Sequence, residues 1–127
     1  MRNERPRQSS KTFDLGDRTK EFALRAIRLY RALPTSGEAG VIARQLLRSA
    51  TSVGANYRAA RRARSRSEFR AKMGIVEEEV DETLYWMELL VESGIVNRER
   101  LEGLMQEANE LAAIMVASIK TSKAGRG

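Results

Sequence analysis

The chain has 127 residues, of which 42% are hydrophobic and 31% are charged, and its formal net charge is +6. That length suits a single domain, and so large a hydrophobic fraction is incompatible with a disordered chain. Cysteine and histidine are both absent, which excludes disulfides, Cys/His zinc sites, thiol nucleophiles and every His-dependent triad.

Helix-forming residues dominate the first half of the chain, and no segment alternates apolar and polar residues as a strand does. The first helix is predicted over Asp17–Leu33. Asp17 is its expected N-cap, and Pro34 ends the helix because the residue before a proline avoids the helical conformation. The second helix is predicted to start near Ser36 and to pass Tyr57. Gly54 lies inside it at a cost of about 1 kcal/mol relative to alanine, so we expect another backbone to approach closely there.

Two further helices are predicted in the second half. Ser65 and Glu68 form a capping-box signature for the third helix, and Gly94 is suited to the C′ position after it. The fourth helix follows Asn97, a candidate N-cap. The apolar stripe of the third helix is predicted to contain Phe69, Met73, Val76, Val80, Leu84, Met87 and Val91.

Four amphipathic helices joined by short loops predict an all-α, up-and-down four-helix bundle over residues 13–121. Residues 1–12 are predicted to be a mobile basic tail, and residues 122–127 a frayed tail. No apolar run approaches the roughly 20 residues of a membrane span, and no secretory signal is visible, so we expect a cytoplasmic protein with no membrane partner.

The third helix carries apolar residues outside its stripe, at Ile75, Trp86 and Leu90. One interpretation is a wide core face, since helices of bundles often bury three positions in seven. The other is a subunit interface, because tryptophan is enriched at interface centres. We expect these three residues to contribute to a homo-oligomer interface.

Charge is divided unevenly along the chain. Residues 1–72 hold 18 basic and 6 acidic side chains, whereas residues 73–127 hold 5 basic and 11 acidic ones. We name one group of cations the arginine segment; it consists of Arg58, Arg61, Arg62, Arg64, Arg66 and Arg70. Guanidinium groups can clamp phosphates, so the arginine segment is a candidate surface for RNA or DNA. The alternative is a solvated surface, or one neutralised by the chain's own carboxylates.

The third helix also contains an acidic block, with five carboxylates between Glu77 and Glu82. Salt bridges to the basic helices are the favoured interpretation, because like charges four residues apart destabilise a helix. A carboxylate site for Mg²⁺ or Mn²⁺ is the other interpretation, although no ordered ligand motif is present. We expect no metal and no cofactor, and no enzymatic activity.

The second helix contains a recognisable sequence, Gln45 to Tyr57. It resembles the central motif of the bacterial four-helix-bundle family that includes proteins encoded in 23S ribosomal RNA intervening sequences. That family looks related to the accessory proteins of diversity-generating retroelements. The segments 29–34, 67–69, 82–86 and 89–94 also match, and the resemblance extends from about residue 13 to residue 121.

The resemblance implies a non-enzymatic bundle that assembles into a ring-like homopentamer. It also implies that basic accessory members bind nucleic acid and a reverse transcriptase. The sequence departs from the family pattern after Asn56, where many relatives have a Glu-Gly pair and this chain has a basic run. The residues that match the motif by position are Arg48, Ser49, Ser52 and Asn56, which line either a seam between helices or a ligand site.

Two functional hypotheses follow. The first is a non-catalytic homo-oligomer that binds RNA or a ribonucleoprotein through the arginine segment. The second is a scaffold whose basic surface docks an acidic protein, such as a polymerase or reverse transcriptase, with incidental affinity for nucleic acid.

Overall fold

The computed structural model describes residues 14–124, and all regular structure within that range is helical. The helices are α1, Leu15–Arg31; α2, Gly37–Arg61; α3, Arg66–Glu92; and α4, Arg98–Ala124. Each helix packs against the next one in the chain, and α1 also touches α4 over a smaller contact. Short loops and sequential packing give the up-and-down order expected for a four-helix bundle.

The core is built from residues spaced alternately three and four positions apart. In α3 the buried side chains are Met73, Val76, Val80, Thr83, Met87 and Leu90. In α4 they are Leu101, Leu104, Ala108, Leu111 and Met115. This is the heptad spacing that keeps one seam of each helix facing its neighbours.

The predicted stripe of α3 was wrong by one position in its second half. Thr83 and Leu90 are fully buried, whereas Leu84 and Val91 are only half-buried. The hydroxyl of Thr83 lies 2.8 Å from Ser49 Oγ on α2 and 2.7 Å from the Glu79 carbonyl one turn earlier, and these two partners permit a polar residue in the core. Leu90 therefore belongs to the core, and the expectation that it lies at a subunit interface is corrected.

The helix ends differ slightly from their predicted positions. The N-cap of α1 is Asp14, whose Oδ1 accepts from the Asp17 N–H at 3.0 Å, so the prediction of Asp17 as N-cap was wrong. Ser65 caps α3 as predicted, because its Oγ accepts from the Glu68 N–H at 3.0 Å. The Glu68 carboxylate, however, accepts from the Arg64 N–H rather than from Ser65.

Two glycines of α2 permit close packing. A β-carbon at Gly54 would stand 3.4 Å from the Thr19 carbonyl oxygen, which confirms the predicted close approach of another backbone. At Gly40 a β-carbon would stand 2.5 Å from the Thr35 carbonyl oxygen, closer than real structures allow. The chain can therefore turn back tightly into α2 only because residue 40 lacks a side chain.

The ends of the bundle were predicted less well than its centre. Helix α4 extends through Ala124, three residues beyond the predicted boundary at residue 121. The predicted N-terminal tail, residue 13 and residues 125–127 lie outside the described residues.

Candidate nucleic-acid interface

The arginine segment surrounds the turn between α2 and α3. Arg58 and Arg61 lie in the last turns of α2, Arg62 and Arg64 in the turn itself, and Arg66 and Arg70 at the start of α3. The first five side chains are exposed. Arg70 is half-buried and its Nη1 lies 3.4 Å from Ser122 Oγ on α4. The fold thus brings the predicted cations together at one end of the bundle.

Four of these cations have no acidic partner at ion-pair distance in the part of the chain that the structure describes: Arg58, Arg61, Arg62 and Arg64. Glu68 is the nearest acid in sequence, and its carboxylate accepts from the Arg64 backbone N–H at 3.0 Å. No acid of residues 14–124 therefore forms an ion pair with these four guanidinium groups.

The acidic block of α3 pairs elsewhere. Arg48 of α2 binds Glu82, and its Nη1 lies 3.5 Å from Glu79 Oε1. The hydrogen bond from Arg48 to Glu82 raises the pKa of the Arg48 guanidinium. The prediction that the block bridges to a basic helix is confirmed for these two acids. They pair with the family-motif position Arg48, away from the arginine segment.

The other interhelical ion pair ties α1 to α4. Arg18 Nη2 lies 2.7 Å from Glu107 Oε1 and 2.9 Å from Glu110 Oε1, and its Nε donates to Glu107 at 3.0 Å. Hydrogen bonding to Glu107 is the main cause of the raised pKa of Arg18. This two-pronged pairing joins the two helices that share the smallest contact.

The remaining motif residues are bonded within the bundle. Ser49 is fully buried, donates to the Leu46 carbonyl at 3.2 Å and accepts from Thr83 of α3. Asn56 donates to the Ser52 carbonyl one turn earlier, at 2.9 Å. Ser49 therefore lies in a seam between helices, as one of the two interpretations of the motif predicted.

A cavity of about 750 Å³ lies between the start of α1 and the second half of α2, next to the arginine segment. Arg58 and Arg61 line it together with Tyr57. Burial raises the pKa of the Tyr57 hydroxyl. The sequence alone identified these three residues but gave no indication that they border a cavity, because the opposite wall comes from α1.

Three charged residues at the start of α1 line the cavity wall, and the sequence analysis assigned none of them to a site: the N-cap Asp14, Asp17 and Lys20. The N–H and side-chain hydrogen bonds from Asp17 lower the pKa of Asp14, and the nearby charge of Arg61 adds to this effect. The side-chain hydrogen bond with Asp14 and the negative charge of Asp14 raise the pKa of Asp17. The sequence does contain a signal for this earlier start of α1, because Asp14 precedes Asp17 by three residues, the spacing of an N-cap and the N–H that it accepts from. Using it would have placed these residues at the start of α1.

The predicted interface residues fall into three different environments. Ile75 is 39% exposed, Trp86 is half-buried with its Nε1 donating to Glu82 Oε2 at 3.3 Å, and Leu90 is fully buried. Tyr85, which the sequence analysis did not single out, is 52% exposed. Its ring meets that of Trp86 edge to face, with the centroids 5.0 Å apart. We name Tyr85 and Trp86 the α3 apolar patch; Ile75 lies about three helical turns earlier in α3 and is separate from it.

Two other features are absent from residues 14–124. No group of three or more acidic side chains is arranged there to hold a metal ion. No helix in the same range combines the length and apolar character needed to cross a membrane.

Comparison with known proteins gives a matching family model and similar solved structures. A family model for the 23S rRNA-intervening sequence protein matches residues 11–117. The chain is also similar to a solved structure from Bacteroides thetaiotaomicron VPI-5482, a protein of unknown function from the S23 ribosomal protein family. The two share 39% sequence identity and a TM-score of 0.78, over 84% of this chain and 98% of the other. A comparison with curated proteins gives no match.

Proposed function

Because the chain belongs to the 23S rRNA-intervening sequence protein family, we propose that it is a non-catalytic protein that binds RNA, or a ribonucleoprotein, through its arginine segment. The observation that carries this proposal is the set of exposed guanidinium groups at one end of the bundle. Arg58, Arg62 and Arg64 are exposed and have no ion pair with any acid of residues 14–124. Unpaired cations of this kind bind the phosphate backbone with little dependence on base sequence.

The proposal is tested by measuring the affinity for a structured RNA of the wild type and of the triple variant Arg58→Gln, Arg62→Gln, Arg64→Gln. Each phosphate contact adds about 0.7 to the log–log salt slope for single strands. Three lost contacts therefore lower the affinity roughly a hundredfold at about 0.1 M salt. Equal affinities of the wild type and the variant would overturn the assignment.

A matched control distinguishes the effect of the arginine segment on RNA affinity from the effect of the net charge. The triple variant Arg31→Gln, Arg98→Gln, Arg100→Gln removes the same charge from exposed residues of α1 and α4 that lie outside the arginine segment. We expect it to bind RNA much more tightly than the first variant. If the two variants lose affinity equally, the binding follows net charge rather than the arginine segment.

We also propose that the protein acts as a homo-oligomer, and the resemblance implies a pentameric ring. The α3 apolar patch supports this proposal, since large exposed aromatic side chains mark interaction sites. Light scattering at micromolar concentration should report a mass several times that of one chain, and Tyr85→Lys should reduce it. A wild-type monomer would refute the proposal.

The second candidate function is a scaffold that docks an acidic partner, such as a polymerase or a reverse transcriptase. The exposed guanidinium groups of Arg58, Arg62 and Arg64 support this alternative as well, because they attract the carboxylates of a protein as they attract phosphates. A partner that remains bound after nuclease treatment, and is lost in the variant Arg58→Gln, Arg62→Gln, Arg64→Gln, would favour the scaffold. A partner released by nuclease would favour RNA binding.

A further inference from the structure

The cavity beside the arginine segment exists because its walls are built from small residues. Gly16 and Ala23 of α1 face Gly54 and Ala55 of α2 across it. A β-carbon at residue 16 would stand 3.2 Å from Arg61 Nη1, so that guanidinium lies close against the start of α1. Larger side chains at these four positions would fill the space. The small residues therefore leave an opening between α1 and α2, which otherwise pack tightly.

The cavity has the size and the chemistry of a small-ligand site. Its volume of about 750 Å³ lies within the range of about 300–1,000 Å³ typical of ligand pockets. Hydrogen-bond acceptors line it at Asp14, Asp17 and Thr51, and Tyr57 contributes an aromatic ring. Nucleobases offer N–H donors at their edges and a face that stacks on aromatic rings.

Arg58 and Arg61 belong both to the cavity wall and to the arginine segment. A strand whose phosphates contact the arginine segment therefore passes the opening of the cavity. In a single strand a base can turn into such a space at little cost, whereas in a duplex it must first break its pairing and stacking.

We propose that the cavity between α1 and α2 receives one unpaired nucleobase of the bound RNA, while Arg58 and Arg61 hold the adjacent phosphates. This inference rests on the proposed function and adds to it a preference for single-stranded or looped RNA over duplex.

The test compares three RNAs of equal length: a single strand, its blunt duplex, and an abasic strand that keeps the phosphates. The variant Ala55→Leu fills the cavity opening from an exposed helical position without changing the charge. Ala113→Leu is the matched control, because residue 113 is an exposed alanine of α4 outside the cavity. Tyr57→Leu is a second cavity variant, which removes the ring and keeps an apolar side chain against the core.

We expect the wild type to bind the single strand about tenfold more tightly than the abasic strand, because one stacked base contributes on that order. Ala55→Leu and Tyr57→Leu should each lose most of that difference and leave the affinity for duplex unchanged. Ala113→Leu should bind all three RNAs like the wild type. Unfolding curves of each variant report whether the fold is retained.

The inference is overturned if both cavity variants bind the single strand as tightly as the wild type, or if they weaken single-strand and duplex binding equally. In either case, continued binding through the arginine segment would leave the proposed function standing. If the wild type binds none of the three RNAs, the proposed function and this inference both fail.

Discussion

The pairing of Arg18 with Glu107 and Glu110 should stabilise the bundle far more than the other ion pair of α1. The side chains of Arg18 and Glu107 are only 16% and 18% exposed, and three hydrogen bonds of 2.7–3.0 Å connect this guanidinium to α4. Hydrogen bonds to charged groups contribute about 1.5–3 kcal/mol, and breaking a fully buried pair costs about 3–5 kcal/mol. For this partly buried pair we expect Arg18→Met to lower the free energy of unfolding by about 2 kcal/mol.

Arg28→Met is the matched control, because Arg28 and its partner Glu21 are 3.0 Å apart but 59% and 57% exposed. Exposed pairs contribute about 0.2–1 kcal/mol, so this variant should lose less than about 1 kcal/mol of the free energy of unfolding. Urea unfolding at a fixed protein concentration measures both changes without adding salt. Equal losses in the two variants would refute the argument that burial sets the strength of these pairs.

Four further predictions concern α2, α3 and the cavity. Gly40→Ala should destabilise the protein by more than about 2 kcal/mol in thermal or urea unfolding, because its β-carbon would meet a backbone carbonyl at 2.5 Å. Gly74→Ala should stabilise it by about 0.5–1 kcal/mol, since no atom lies within 4 Å of the added carbon and alanine favours the helix; a loss of stability would show that this surface is covered. Thr83→Val should cost about 1–2 kcal/mol, because the buried Ser49 hydroxyl loses its donor, and Ser49→Ala in the same background should then cost less than it does alone. Burial raises the pKa of the Tyr57 hydroxyl, so the contribution of the neutral hydroxyl to stability is complete below pH 10 and is lost as the pH rises through the pKa of the folded state. An absorbance titration of the wild type, compared with that of Tyr57→Phe, measures the pKa of this hydroxyl. Complete titration of Tyr57 near pH 10 would contradict the prediction.

The number, order and extent of the helices could be predicted from the sequence because caps, prolines and apolar spacing are local signals. The N-cap at Ser65 and the close approach at Gly54 are examples that the structure confirms. The buried position of Thr83 could not be predicted from an apolar stripe, since the hydroxyl has partners in the Glu79 carbonyl of its own helix and in Ser49 of α2. Leu90 was misplaced for the related reason that the choice between core and interface depends on the rotation of α3 in the bundle.

The candidate site was predicted in part. The arginine segment is contiguous in sequence, so its location at one end of a helical hairpin followed from the helix boundaries. Whether the acids of α3 neutralise it depended on distances between helices. In the structure Glu79 and Glu82 pair with Arg48 and not with the arginine segment. The cavity was not foreseen, because half of its wall comes from residues of α1 that lie about 40 positions away in sequence.

The salt dependence of RNA binding tests the central claim most directly. The logarithm of the association constant should fall linearly with the logarithm of the salt concentration for the wild type. In the variant Arg58→Gln, Arg62→Gln, Arg64→Gln the slope should be shallower by about 2, since three phosphate contacts contribute about 0.7 each for single strands. A slope that is unchanged in this variant would contradict the assignment of the arginine segment as the RNA-binding surface.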